Sequence, residues 1–511
     1  MSGLVRRYEI VATAAVVLSI TLGAVPSALG THVRSQHTSA LPPSQTRHLD
    51  AAKFRGTLIG LQYETYFTPH NTQWKGKRET AVSSLQQGTE EAIPILGEYS
   101  SFDVKTLRTH EKWFGQLGIN WLLLDWSNFL AMKPAWELHR GATHELEEST
   151  SLLFKTYSDL QKEGRHPPKL VLMLGLGAGS SADMKRVNEI VKWTTENFLD
   201  RPEYKNLWLY YHGKPLMTIL YFPAHPCEDL TRVLAQTPLH ATGWTIRWVA
   251  SQLQDNHAER CGMWSWMDGS IRQIVTDRNG LPEETVVTPA CFPLTAPPNG
   301  GWLSPLAVGK DHGAPYLESW KVAFESRPKF IQIHQWNEFS GQGKGDGAGP
   351  EHNIFGDEYS SELSDDIEPT MLDTCGYRGC GGWGYYYMNL TRALISLYRG
   401  HTPDITVMAL SGPFQPAVVK ADHLRLKWVV IGKKPTGYEL QLDGKTIAHD
   451  LPGTSYVLNL AGSLTGRHRV TLIADGAHTY FDLDPRKMAK RSSKPLPVTS
   501  AIEFRYAPAQ K

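Results

Sequence analysis

The stretch 329–356, KFIQIHQWNEFSGQGKGDGAGPEHNIFG, changes character partway along. From Lys329 to Phe339 it is an apolar run of strand length, and beyond that it is mostly glycine and small polar residues. Glu338 stands at the seam, directly after Trp336 and Asn337. A strand that ends on a carboxylate and then opens into a long loop is what a parallel sheet produces at the face where it presents its functional side chains. The fold therefore turns on how many other strands end in the same way.

Seven more runs of strand length precede it: 56–67, 93–100, 119–129, 169–177, 214–222, 244–251 and 262–269. Most are apolar nearly throughout instead of alternating, which marks strands covered on both faces. Stretches with an apolar period of 3.6 residues separate most of them. One such helix is expected after Asp103, a good N-cap, with Leu107, Trp113, Phe114 and Leu117 on one side and Gly118 as its stop. Another, ELEESTSLLFKTYSDLQKEG, is acidic early and basic late, as the helix dipole favours. Eight alternating units predict an α/β fold of the (β/α)8 TIM barrel type. No glycine-rich dinucleotide fingerprint follows the first run, and GLGAGSS at 175–181 lacks the lysine and spacing of a phosphate loop.

After the helical stretch 384–400 the pattern changes to short alternating runs separated by Gly, Pro and Asp turns. This predicts a small all-β sandwich of immunoglobulin-like or fibronectin-like size. At the other end, Arg6 and Arg7 precede an apolar segment from Ile10 to Ala24 that is short for a membrane span, the pattern of an export signal. The expected organisation is a signal over 1–30, a linker over 31–52, the barrel over 53–400 and the sandwich over 401–511. The mature protein is expected outside the cytoplasm, periplasmic or extracellular, and not in the membrane.

The formal net charge of +1, with both signs interspersed, leaves no field to gather nucleic acid. Among five cysteines only Cys375 and Cys380, bracketing CGYRGC, suggest a local disulfide; Cys227, Cys261 and Cys291 have no assignable partner. No metal-ligand spacing is present, and neither a metal nor a cofactor is expected. Nothing of the form G-x-S-x-G lies where a nucleophile elbow needs it.

A parallel barrel brings the C-terminal ends of its strands to one face. In order these ends carry Tyr63 and Glu64; Glu98 and Tyr99; Asp125, Trp126 and Asn128; Trp264, Trp266 and Asp268; then His334, Trp336, Asn337 and Glu338. Cleavage of a glycosidic bond requires one carboxyl group to protonate the leaving oxygen and a second to act as base, nucleophile or charge stabiliser. Aromatic faces hold sugar rings and amides bind hydroxyls. Each acid also has a plain role open to it, as a helix N-cap or the partner of a nearby base.

PILGEYSSFDVKTL (94–107), LGINWLLLDWSN (117–128), WNEFSG (336–341), DDIEPT (365–370) and GWGYYYMNLTRAL (382–394) together resemble the glycoside hydrolase family 99 and family 71 group, which includes endo-α-mannosidases. The resemblance spans residues 56–398 and not the sandwich. It implies a barrel acting on α-linked mannan or glucan without a metal. The family signature resembles N-E-W-x-E-G: Asn337 and Glu338 match its Asn and first Glu, which implies that Glu338 is a base acting on the sugar 2-hydroxyl. The second Glu, the family's acid/base, falls at Gly341, so that role is left open to Asp125, Glu98 or Glu368.

The sequence thus predicts an exported glycoside hydrolase acting on an α-linked polysaccharide or oligosaccharide, with Glu338 and Asp125 as the catalytic pair. Tyr63, Trp126, Trp264, Trp266 and Trp336 are expected as sugar platforms, and Asn128 and Asn337 as hydroxyl ligands. Tyr99, Glu64, Glu98, Asp268, His334 and Glu368 complete the expected rim. The alternative is an exported glycan-binding protein on a barrel that has lost catalysis, which the glycine at 341 favours.

Overall fold

The computed structural model describes residues 49–67, 92–127, 142–175, 184–221, 225, 227–228, 231, 243–250, 258–266, 274–291, 307–339, 360–373, 375–376, 379–401, 404–413 and 418–508. The predicted export signal and most of the predicted linker lie outside them, as do Asn128, Asp268 and Gly341.

The first ten strands are β1 (Leu58–Tyr63), β2 (Trp121–Trp126), β3 (Lys169–Gly175), β4 (Tyr210–Tyr211), β5 (Lys214–Leu220), β6 (Thr245–Ala250), β7 (Trp264–Ser265), β8 (Val275–Arg278), β9 (Leu281–Val287) and β10 (Phe330–Ile333). They form one sheet in the order β7-β6-β5-β3-β2-β1-β10-β9-β8, with β4 attached to β5. Leaving out the antiparallel β4 and β8, the eight remaining strands are parallel neighbours in chain order, the winding of a (β/α)8 barrel.

The ladder is interrupted once, between β7 and β9, so the barrel is nearly closed. Side chains span that seam. Trp264 Nε1 donates to Glu283 Oε2 at 2.8 Å, and the Ser265 N–H to Glu284 Oε2 at 3.1 Å. Glu283 also takes a two-pronged contact from Arg247 at 3.0 and 2.9 Å, one from Arg278 at 2.9 Å and the Tyr211 hydroxyl at 2.9 Å.

The run 93–100 is not a strand, which corrects the prediction. Pro94 has no N–H for a ladder, and Gly97 turns the chain at φ 77° with its N–H on the Pro94 carbonyl. The missing strand is β9, whose LPEETVV does not look apolar because Glu283 and Glu284 are committed to the seam.

The pleat sorts each strand into two layers. Leu58, Trp121, Leu123, Val171, Met173, Leu216, Val249, Trp264 and Phe330 fill the barrel interior. Ile59, Leu61, Tyr63, Leu122, Leu124 and Trp126 belong instead to the layer beneath the helices α1 (Val104–Leu117), α2 (Ala142–Lys162), α3 (Met184–Thr194), α4 (Ala314–Ser326) and α5 (Tyr386–Tyr398). Gly60 is required on the inward side: a Cβ there would lie 2.1 Å from the indole of Trp121, which closes the barrel floor. Helix α1 begins and ends as predicted, with Asp103 accepting from the Lys105 N–H and Gly118 left-handed at φ 84°.

The C-terminal strands are β13 (Thr406–Ser411), β14 (Val418–Val419), β15 (His423–Gly432), β16 (Gly437–Leu442), β17 (Lys445–Ala448), β18 (Ser455–Asn459), β19 (Gly466–Phe481) and β20 (Arg491–Tyr506). Two sheets, β13-β15-β18 and β14-β20-β19-β16-β17, enclose a core that includes Leu410, Leu426, Trp428, Leu472 and Phe504. This all-β region packs on the barrel. Val407, Val429 and Ile431 share a core with α5, and Asp311 accepts from the Gly412 N–H at 2.8 Å and from the Ser411 hydroxyl. Cys227 is disulfide-bonded to Cys261, a pair that spacing did not suggest. The backbones of Cys375 and Cys380 face each other in the small ribbon of β11 (Cys375–Gly376) and β12 (Gly379–Cys380), while their sulfur atoms lie outside the described residues.

Candidate active site

Above the apolar floor the inward positions become polar. Gln62, two residues after Gly60, is the hub of this layer. Its amide nitrogen donates to Asp125 Oδ2 at 2.8 Å and to Gln335 Oε1 at 2.9 Å. Its oxygen lies 2.6 Å from both Trp266 Nε1 and His334 Nδ1. All four hydrogen-bonding positions of this amide are thereby filled.

Gln335 extends the line: its Nε2 donates to Glu338 Oε2 at 2.5 Å. Two amides therefore connect Asp125 to Glu338, the two carboxylates expected to act together. Their settings differ sharply. Glu338 is half-buried at the mouth, whereas Asp125 is 1% exposed, holding the Gln62 amide, the Ser127 N–H at 2.6 Å and the Tyr66 hydroxyl at 3.4 Å. Tyr66 stands over this layer. Burial raises its hydroxyl pKa well above the usual tyrosine value, and the charges of Asp125, Glu64 and Glu338 raise it further, so it stays an O–H donor facing three acids.

His334 is wholly buried, and burial drops its pKa to about 3, so its ring is neutral. With Nδ1 donating to Gln62, its Nε2 faces Asp365 Oδ2 at 3.6 Å. Burial raises the Asp365 carboxyl, whose Oδ1 accepts the Ala290 N–H at 2.9 Å.

Behind the rim a second chain of contacts fixes where Glu338 sits. Asn337 clasps β1's end, donating to the Glu64 carbonyl at 3.1 Å and accepting the Glu64 N–H at 2.9 Å. It also donates to the Tyr99 hydroxyl at 3.0 Å, which donates to Glu368 Oε2 at 2.8 Å. Glu368 Oε1 meets His110 Nε2 at 3.1 Å, and His110 Nδ1 meets the Tyr63 hydroxyl at 3.1 Å.

Several predicted platforms are corrected by this geometry. Trp126 is fully buried, bonded to Thr150 and packed on Phe198 under the helices. Trp264 lies in the barrel interior on Glu283, and Trp336 packs edge-on to Phe114 and His110. None of the three has a face open to a sugar, and Tyr63 is enclosed in the same way. Glu64, Tyr99, Asn337, His334 and Glu368 are buried supports. Of the predicted aromatics, only Trp266 stays partly exposed, edge-on to His334. Glu98 is half-buried in the loop after Pro94. Gln62, Tyr66, His110, Gln335 and Asp365 were not anticipated. Among the described residues no three His, Cys, Asp or Glu side chains gather as metal ligands, and no helix is long and apolar enough to cross a membrane.

No family model matches the chain, and no curated protein matches it. Among solved structures it is similar to the GH99 endo-α-mannosidase from Bacteroides thetaiotaomicron, at 17% identity over 69% of this chain and 99% of that one, with a TM-score of 0.44. It is also similar to the endo-β-1,4-mannanase from Thermotoga petrophila, at 11% identity over 90% and 100% of the two chains and a TM-score of 0.29. Fibronectin(III)-like modules of Clostridium thermocellum CbhA match 20% of this chain over their full length, at 16% identity and a TM-score of 0.14. At these scores none of the three assigns a reaction or a residue role to this chain.

Proposed function

We propose that this protein is an exported glycoside hydrolase acting on an α-linked, mannan- or glucan-like polysaccharide or oligosaccharide. One observation supports this reading above the others: a solvent-reachable carboxylate, Glu338, at the C-terminal rim of the barrel, tied through Gln335 and Gln62 to a second carboxylate, Asp125. Glu338 is the group able to meet a substrate. Asp125, enclosed and accepting hydrogen bonds from Gln62, Ser127 and Tyr66, acts on the charge that develops above Gln62. Tyr66 supplies a hydroxyl donor at the same mouth, and Trp266 an aromatic surface.

The enclosure of Asp125 is the specific observation that favours the alternative, a glycan-binding barrel without turnover. Glu338→Gln separates the two, because it keeps the shape and removes the charge. With α-mannan and α-glucan oligosaccharides, hydrolysis by the native protein should fall about 100-fold or more in the variant while binding persists. Saturable binding with no hydrolysis by the native protein would establish the binding reading instead.

A further inference from the structure

A cleft beside the C-terminal half of α5 carries an unusual charge pattern. It lies where the end of α1, helix α5 and the all-β region meet, and encloses about 480 Å³ including its open mouth. Among the described residues its lining includes Gln116, Arg392, Arg399, His401, Phe481 and Arg491, and no carboxylate. Among the described residues none of these three arginines makes an ion pair.

What they do contact is neutral. Arg392 Nη1 donates to the Ala489 carbonyl at 2.5 Å. Arg399 Nη2 donates to the Gly118 carbonyl at 2.6 Å and to Asn120 Oδ1 at 2.9 Å; a Cβ on Gly118 would come within 2.4 Å of its Nη1. Arg491 lies over the Tyr480 ring at 5.5 Å. Each guanidinium has five N–H donors in a planar fork, so these contacts leave donors over. Two of the arginines are only partly exposed, and burial lowers both of their pKa values. Burial, then the charges of Arg399 and Arg491, also lower that of His401. Like charges drawn together and partly desolvated are costly unless a counter-charge arrives.

We propose that this cleft at the junction of barrel and β-region binds an oxyanion, a carboxylate, sulfate or phosphate group, through Arg392, Arg399 and Arg491. A planar fork matches the oxygen spacing of such groups, and three forks from two structural regions would hold them together when the anion is bound. The site is independent of the proposed hydrolase chemistry.

The test uses the full chain, titrated with sodium phosphate, sodium sulfate and sodium glucuronate, each against sodium chloride at matched ionic strength, and followed by calorimetry and by thermal melting. A saturable heat and a rise in Tm with at least one oxyanion, absent with chloride, is the expected result. Arg491→Gln, at an exposed position, should weaken binding about tenfold, the loss of one charge-assisted contact, with its anion-free Tm close to native. Preference for glucuronate assigns the site to a sugar-borne carboxylate, and preference for phosphate or sulfate to a free inorganic anion. Equal response to all four salts, or unchanged affinity in both Arg491→Gln and a charge-removing Arg392→Gln of native fold, overturns the proposal.

Discussion

Glu283→Gln tests how the barrel is closed. The side chain is 3% exposed and receives five hydrogen bonds at the seam, from Arg247, Arg278, Trp264 and Tyr211. Burial pushes its pKa up, but the hydrogen bonds and charge of Arg247, with Trp264 and Arg278, outweigh that and bring it down from 4.5 to about 2. A folded-state pKa below the unfolded one stabilises the fold above the unfolded value, and that stability is lost as pH falls toward 2. At 1.36 kcal/mol for each pKa unit, a drop from 4.5 to about 2 corresponds to about 3 kcal/mol at neutral pH. Independently, removing one partner of a buried pair costs about 3–5 kcal/mol, because Arg247, 7% exposed, keeps its charge with nothing to answer it. Urea unfolding at pH 7 should show the variant less stable by about 3 kcal/mol, a large part of a typical total. The gap between native protein and variant should narrow steadily from pH 4.5 to pH 2. A loss below about 0.5 kcal/mol at pH 7, or a gap that does not change with pH, would show that the seam is not held by this carboxylate.

Three further outcomes are expected. Tyr66→Phe removes the hydroxyl over Asp125 and, on the hydrolase reading, lowers kcat about 10- to 100-fold with an unchanged far-ultraviolet spectrum; native turnover would reduce Tyr66 to packing. Glu362 is 6% exposed, and burial raises its pKa to about 8, so the folded state holds a proton that the unfolded state releases above pH 4.5. Its contribution to stability should therefore fall by about 3 kcal/mol between pH 4.5 and pH 7, and Glu362→Gln should remove that part of the pH dependence in melts run across this range. Asp103→Ala removes the N-cap of α1 and should cost about 1 kcal/mol in urea unfolding, whereas Asp103→Asn should cost much less.

Most of the barrel was legible because apolar runs flanked by helices admit few other arrangements. Seven of the eight expected runs supply parallel strands. The run 93–100 and strand β9 depart from expectation for one reason: hydrophobicity alone does not record where backbone and charge are satisfied. Pro94 and Gly97 interrupt an apolar run, while Glu283 and Glu284 disguise a buried strand by serving the interrupted ladder. The hub amide Gln62 carries no charge to mark it in the sequence, yet its two donors and two lone pairs let it join Asp125, Gln335, His334 and Trp266. His110 could have been found on α1, since it shares the buried face with Leu107, Trp113 and Phe114.

The strand-end residues show a sharper limit, and it comes from the period of two. Adjacent residues on a strand point to opposite faces, so of any neighbouring pair at a strand end only one can enter the barrel mouth. Asp125 and Trp126 were both expected there, yet Trp121 and Leu123 fill the interior, and the same parity admits Asp125 and sends Trp126 beneath the helices. On β1, Leu58 and Gly60 set the inward register, which brings in Gln62 and excludes Tyr63. On β10, Phe330 and Gln332 are inward, so His334 continues the series. The parity of each strand was available in the sequence, because the inward series runs through Gly60 and the outward one through uninterrupted Ile, Leu and aromatic residues. Beyond the last paired residue, however, parity no longer applies. Glu338 lies five residues past Ile333, where Asn337's clasp on Glu64 and Gln335's amide decide the direction of the chain, and those are contacts between segments far apart in sequence. A run of letters can therefore assign the walls of this site, but the carboxylate that faces solvent is positioned by pairings that exist only once the barrel has formed.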